Sequence, residues 1–159
     1  MATLNREGHS DHPHSTARIG GHPIHPMLIP FPIVCFIGTL VADIVYLSGH
    51  DPMWAIASRY LLGVGIVMAA AAAAAGLTDF MGDDRIRHAS DALKHMLANV
   101  TAVVLEVVNL VLRLNNDDFI ASTGVWISVV VVLILLYSGW KGGDLVYRHG
   151  IGVRDTSNL

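Results

Sequence analysis

Four long apolar runs constrain this chain more than any other feature. Crossing about 30 Å of hydrocarbon takes about 20 helical residues, and the runs 27–47, 60–77, 96–112 and 119–140 come close to that length. The first holds one charge, Asp43, and the third holds one, Glu106; the second and fourth hold none. A soluble amphipathic helix would return a charged face about every 3.6 residues, and a barrel strand would alternate, so both are excluded. The sequence predicts an all-α integral membrane four-helix bundle occupying residues 20–153, with helices near 27–47, 56–78, 92–113 and 119–141.

Composition agrees. Of 159 residues 53% are hydrophobic and 14% charged, whereas an ordinary soluble domain carries about a quarter of its residues charged. A net charge of −3 leaves no basic footprint for nucleic acid. Cys35 is the single cysteine, which excludes an intrachain disulfide and a thiolate metal site. Residues 1–19 are polar, with His9, His12 and His14, and lack the apolar stretch of a signal peptide. They are expected to form a disordered tail, with a second short tail at 154–159. The expected partners are the lipid bilayer and a membrane protein or a second copy of the chain.

Positive charge sets orientation. With four alternating helices, one side carries Arg6, Arg18, Arg85, Arg87, Lys94, Lys141, Arg148 and Arg154, and the other carries Arg59 and Arg113. Eight against two places both termini in the cytoplasm of a bacterium whose plasma membrane holds the chain. The second run contains Gly63, Gly65, alanines 69–75 and Gly76, small side chains that permit close helix approach, so it is expected at the packed centre. The bulky fourth run is expected to face lipid broadly.

The third helix carries the most informative pattern. His95, Asn99, Glu106, Asn109 and Arg113 are spaced four, seven, three and four residues apart, which confines them to an arc of about 80°. An ionised carboxylate facing lipid would cost several kcal/mol, so this stripe must face the interior. Its buried members Asn99, Glu106, Asn109 and Arg113 form either a packing seam or a proton or ion path. Asp43 and Arg59 fall near the same, outer interface and are expected to form an ion pair, with Glu106 sharing it or paired to Arg59 or Arg113.

At the opposite end, His22 and His25 lie just before the first helix, each followed by proline, which favours extended backbone. His88 and His95 flank the start of the third. These four imidazoles, with Asp79 nearby, are the densest set of potential ligands. Imidazole suits transition metals and haem iron, and two histidines on separate helices can clasp a b-type haem. His25 and His95 are the leading pair for haem b, with Asn99 and Tyr147 in the same pocket. His22, His25, Asp79, His88 and His95 are the set for a divalent transition metal.

The segments 21–26 (Gly-His-Pro-Ile-His-Pro) and 29–33, the run 76–79 (Gly-Leu-Thr-Asp), His95 with Asn99, and 139–147 (Gly-Trp-Lys-Gly-Gly-Asp-Leu-Val-Tyr) together resemble the bacterial membrane proteins grouped as domain of unknown function 2231. The resemblance covers about residues 20–153. It implies a four-helix membrane bundle without an established activity, and its distinctive residues correspond to His25, Asp79, His95, Asn99, Gly142, Gly143 and Tyr147. Gly142 and Gly143 are expected either to end the last helix or to admit another backbone closely. Three functional classes follow: a haem or metal protein serving electron transfer, a non-enzymatic accessory or assembly subunit, and a proton or ion conductor. No hydrolytic constellation or phosphate-binding loop is present.

Overall fold

A computed structural model describes residues 15–114, 116 and 118–152. Four helical segments are long and apolar enough to cross a membrane, Ile24–Gly49, Pro52–Gly82, Ser90–Arg113 and Ile120–Tyr147. Each is longer than the apolar run that announced it.

The ends are set by local chemistry. The first span consists of α1 (Ile24–Leu28) and α2 (Pro30–Gly49); Pro30 has no N–H to bond backwards, which separates them at Ile29. α2 closes at His50 in left-handed geometry, φ 54°. α3 (Pro52–Gly82) starts four residues ahead of expectation, because Asp51 caps it by accepting a hydrogen bond from the Met53 N–H at 2.9 Å and Pro52 occupies its first turn. Asp83 similarly caps the short α4 (Asp84–His88) through the Arg85 N–H. α5 spans Ser90–Arg113. One wide π-helical turn, Ile120–Gly124, leads into α6 (Val125–Tyr147). α6 therefore runs through Gly142 and Gly143, so neither glycine ends it.

Ahead of α1, β1 (Arg18–Ile19) and β2 (His22–Pro23) pair antiparallel around Gly20 and Gly21. Both glycines have positive φ, 56° and 82°, which such a two-residue turn demands. The Ser15 hydroxyl and the Ala17 N–H donate to Asp79 Oδ1 at 2.9 and 2.8 Å, and the Thr16 hydroxyl donates to the Thr78 carbonyl at 2.9 Å. Residues 15–19, expected within a disordered tail, are thus fastened to the end of α3. Residues 1–14 and 153–159 lie outside the described residues.

α2 packs on α3 and α5 on α6, giving two hairpins, which meet through α2 against α6 and α3 against α5. Phe36, Leu62, Ala69, Ala102 and Val131 form the apolar middle of the interior. Gly65 makes this layer possible, since a Cβ there would stand 2.6 Å from Phe36 Cε1. α3 is not the packed centre that its alanines suggested. Only Ala69, Ala72 and Ala75 of the run are buried, while Tyr60, Val64 and Val67 face outward. Each span buries one stripe and exposes another that is apolar, as with Val34, Val41 and Ile44 on α2, Val104 and Val111 on α5, and Leu133 and Leu136 on α6. A soluble monomer does not expose apolar surface on this scale.

Candidate functional site

The interior carries polar groups at both ends and the apolar layer between them. At one end Asp43, Ser58, Glu106, Asn109, Arg113 and Ser128 are all fully buried. The Arg113 guanidinium grips Asp43 with two prongs, Nη1 to Oδ1 at 2.8 Å and Nη2 to Oδ2 at 3.1 Å. Its remaining N–H groups go to the Ser58 hydroxyl and to Asn109 Oδ1, the latter from Nε at 3.1 Å and Nη2 at 2.7 Å. Ser58 and Ser128 each donate to Asp43, at 2.7 and 2.8 Å. Asn109 donates to Glu106 Oε2 at 2.8 Å and to the Ser128 hydroxyl at 3.3 Å. Gly124, in the π turn, admits the guanidinium, because a Cβ there would lie 2.9 Å from Arg113 Nη2.

Asp43 therefore takes its cation from Arg113, where the sequence favoured Arg59. On α3 it is Ser58 that points inward and is fully buried, while its neighbour Arg59 is turned about 100° away and half-buried. Glu106 is joined to this network through Asn109 rather than directly to a cation.

At the other end His25 and His95 come together, ring centroids 6.1 Å apart and planes at 89°. The His25 Nδ1–H donates to the Ala72 carbonyl at 2.7 Å, and the His95 Nδ1–H to the Ser138 carbonyl at 2.9 Å. A carbonyl only accepts, so each Nδ1 carries a ring proton. The Asn99 amide donates to His95 Nε2 at 3.0 Å and to the His95 carbonyl at 3.0 Å. The rings lie directly on helix backbone: a Cβ on Gly76 would stand 2.9 Å from the His25 ring, and one on Gly142 3.2 Å from the His95 ring. Gly142 thus admits a side-chain ring, where the sequence suggested a helix end or the approach of another backbone.

The wider metal set does not assemble. Among the described residues no group of three or more His, Cys, Asp or Glu side chains is placed to hold a metal ion. Asp79 serves Ser15, Thr16 and Ala17. His22 is exposed and bonds to Gly20 of its own turn, and His88 is exposed and bonds to Asp84 of its own helix. Tyr147 is 90% exposed at the end of α6, outside the histidine pair.

Around this end, Lys141 bridges Asp91 (3.1 Å) and Asp144 (3.0 Å), Arg148 adds a bond to Asp144 (3.1 Å), and α5 is so tied to α6. Gly150, φ 64°, turns the chain back after α6, and Gly152 comes to rest beside Pro23.

The two hairpins share one construction, which was not read from the sequence. Each histidine bonds to a carbonyl four residues before a glycine, Ala72 before Gly76 and Ser138 before Gly142. Seven, eleven, fourteen and eighteen residues after His25 come Pro32, Phe36, Thr39 and Asp43; at the same steps after His95 come Ala102, Glu106, Asn109 and Arg113. All eight are buried. The register was visible in the residue numbers, but the side chains at matched positions differ so much that similarity alone does not reveal it. Ser58 and Ser128, also missed, were detectable only as isolated hydroxyls on otherwise apolar helices.

The family described as predicted membrane protein (DUF2231) matches residues 21–155. The chain belongs to it. This match spans the second strand of the β hairpin, all four apolar helices and both buried polar ends, so the DUF2231 membrane domain is the whole described fold apart from residues 15–20. No curated protein and no solved structure matches the chain.

Proposed function

We propose that His25 and His95 of this DUF2231 protein would hold a b-type haem, which would supply electron transfer in the membrane. The observation that carries the reading is the matched pair of imidazoles, each oriented by an Nδ1–H bond to a backbone carbonyl, as metal-ligating histidines commonly are. The two rings meet edge to face with centroids 6.1 Å apart, and they would have to turn toward one another to hold the group.

Two histidines without a third ligand favour haem over a bare divalent ion. A bare ion wants about four protein or water ligands, whereas the porphyrin supplies four of its own and needs only axial partners. A haem held by two histidines would supply one-electron transfer.

In this reading the site faces the cytoplasm of a bacterial cell. Arg18, Arg85, Arg87, Lys94, Lys141 and Arg148 gather at the histidine end, and Arg113, one of the two cations at the other, is spent on a buried ion pair. The positive-inside bias is stronger for that.

The accessory or assembly subunit is the second reading, favoured by the closed Asp43–Arg113 network, which fixes helix packing without chemistry. A conducting stripe is disfavoured, because Phe36, Leu62, Ala69, Ala102 and Val131 lie between the polar ends. The absorption spectrum of protein purified from haem-replete cells separates the first two. The haem reading expects a Soret band that His25→Ala and His95→Ala each abolish with helical content retained. A colourless wild-type protein that also takes up no added haemin leaves the accessory reading.

A further inference from the structure

Glu106 is left over when the polar groups of the Asp43–Arg113 end are accounted for. The side chain is fully buried. Oε2 accepts from Asn109, and Oε1 has no hydrogen-bond partner among the described residues. An arginine has five N–H donors, and Arg113 gives all of them to Asp43, Ser58 and Asn109. Asn109 is likewise full, with two bonds accepted at Oδ1 and two donated from Nδ2. Nothing remains to compensate a second carboxylate.

Charge then decides the state of the group. The groups facing this site are Asp43 from α2, Ser58 from α3, Asn109 and Arg113 from α5 and Ser128 from α6. Asp43 and Arg113 cancel. An ionised Glu106 would leave one net negative charge inside a membrane helix packing, which costs far more than the roughly 1–3 kcal/mol of leaving one neutral hydroxyl without an acceptor.

We infer that Glu106 is a buried proton-binding site, which takes a proton from water onto Oε1 and holds it in the resting protein, separate from the histidine pair. His95 and Glu106 are eleven residues apart on α5, about 16 Å along the helix, with Ala102 and the apolar layer between them. The site therefore lies apart from the histidine pair, beyond the apolar layer.

The chain has only two glutamates, Glu7 and Glu106, which gives a direct test that needs no change at the site. Protein carrying Glu7→Gln is made with glutamate 13C-labelled at the side-chain carboxyl and placed in lipid vesicles at neutral pH. The infrared spectrum is expected to show the C=O band of a protonated carboxylic acid, moved by the label and moved again in D2O. Glu106→Gln should remove that band. The assignment is overturned if no such band is present at neutral pH, if the band is indifferent to the glutamate label, which would place the proton on an aspartate, or if it survives in a folded Glu106→Gln protein.

Discussion

Asp43 and Arg113 lie the same eighteen residues beyond His25 and His95, and they meet as a buried two-pronged ion pair of 2.8 and 3.1 Å. Matched positions of the two hairpins thus carry opposite charges at one end and identical histidines at the other. The ion pair fastens hairpin to hairpin, and the histidines meet where the same two hairpins face each other.

Removing one member of that pair should be severe. Arg113→Met leaves the Asp43 carboxylate buried with only Ser58 and Ser128 to serve it, and a loss of about 3–5 kcal/mol is expected. The double variant Asp43→Asn with Arg113→Met should recover a large part. Unfolding curves in detergent measure both. A double variant as damaged as the single one would show that the pair is not what holds the hairpins together.

Gly76→Ala should disturb the histidine end more than Gly142→Ala. The new methyl would meet the His25 ring at 2.9 Å in the first case and the His95 ring at 3.2 Å in the second, so overpacking of about 1–3 kcal/mol applies mainly to Gly76. Histidine ring resonances in NMR spectra of the detergent-solubilised protein should shift more for Gly76→Ala. The reverse ranking would contradict the packing described.

Asp79→Ala should free residues 15–19 without unfolding the helices, because it removes the acceptor shared by Ser15, Thr16 and Ala17. Tryptic cleavage after Arg18 is expected to quicken while the melting temperature changes little. An unchanged cleavage rate would mean that other contacts hold the segment.

Orientation can be read with single-cysteine variants in a Cys35→Ser background. Asp51→Cys should react with impermeant thiol reagents in whole cells, and Arg85→Cys only after the membrane is opened. Labelling of Arg85→Cys from outside would reverse the orientation argument and with it the side on which the histidines lie.

How much of this was legible in the sequence follows from how local each cause is. The stripe from His95 to Arg113 was legible because helical periodicity alone puts it on one face. The end of α3 at Asp51–Pro52 was legible in principle, since a capping aspartate followed by proline is a local signal, yet the apolar run drew attention further inward. The partner of Asp43 was not, because it depends on which of Ser58 and Arg59 points inward once the helices pack. Asp79 shows the same limit. Its carboxylate looked like a free ligand until the chain folded back and Ser15 and Ala17 took it. The approach of His25 to His95 rests on equal depth, which the sequence supplies, and on facing directions, which only tertiary packing supplies.

Haemin titration of the detergent-solubilised protein tests the central claim most directly. The account predicts a six-coordinate, low-spin bis-imidazole spectrum that saturates at one haem per chain, and its loss in both His25→Ala and His95→Ala while the circular dichroism stays helical. Absence of saturable binding by the wild-type chain, or the same spectrum from a protein lacking both histidines, would contradict it.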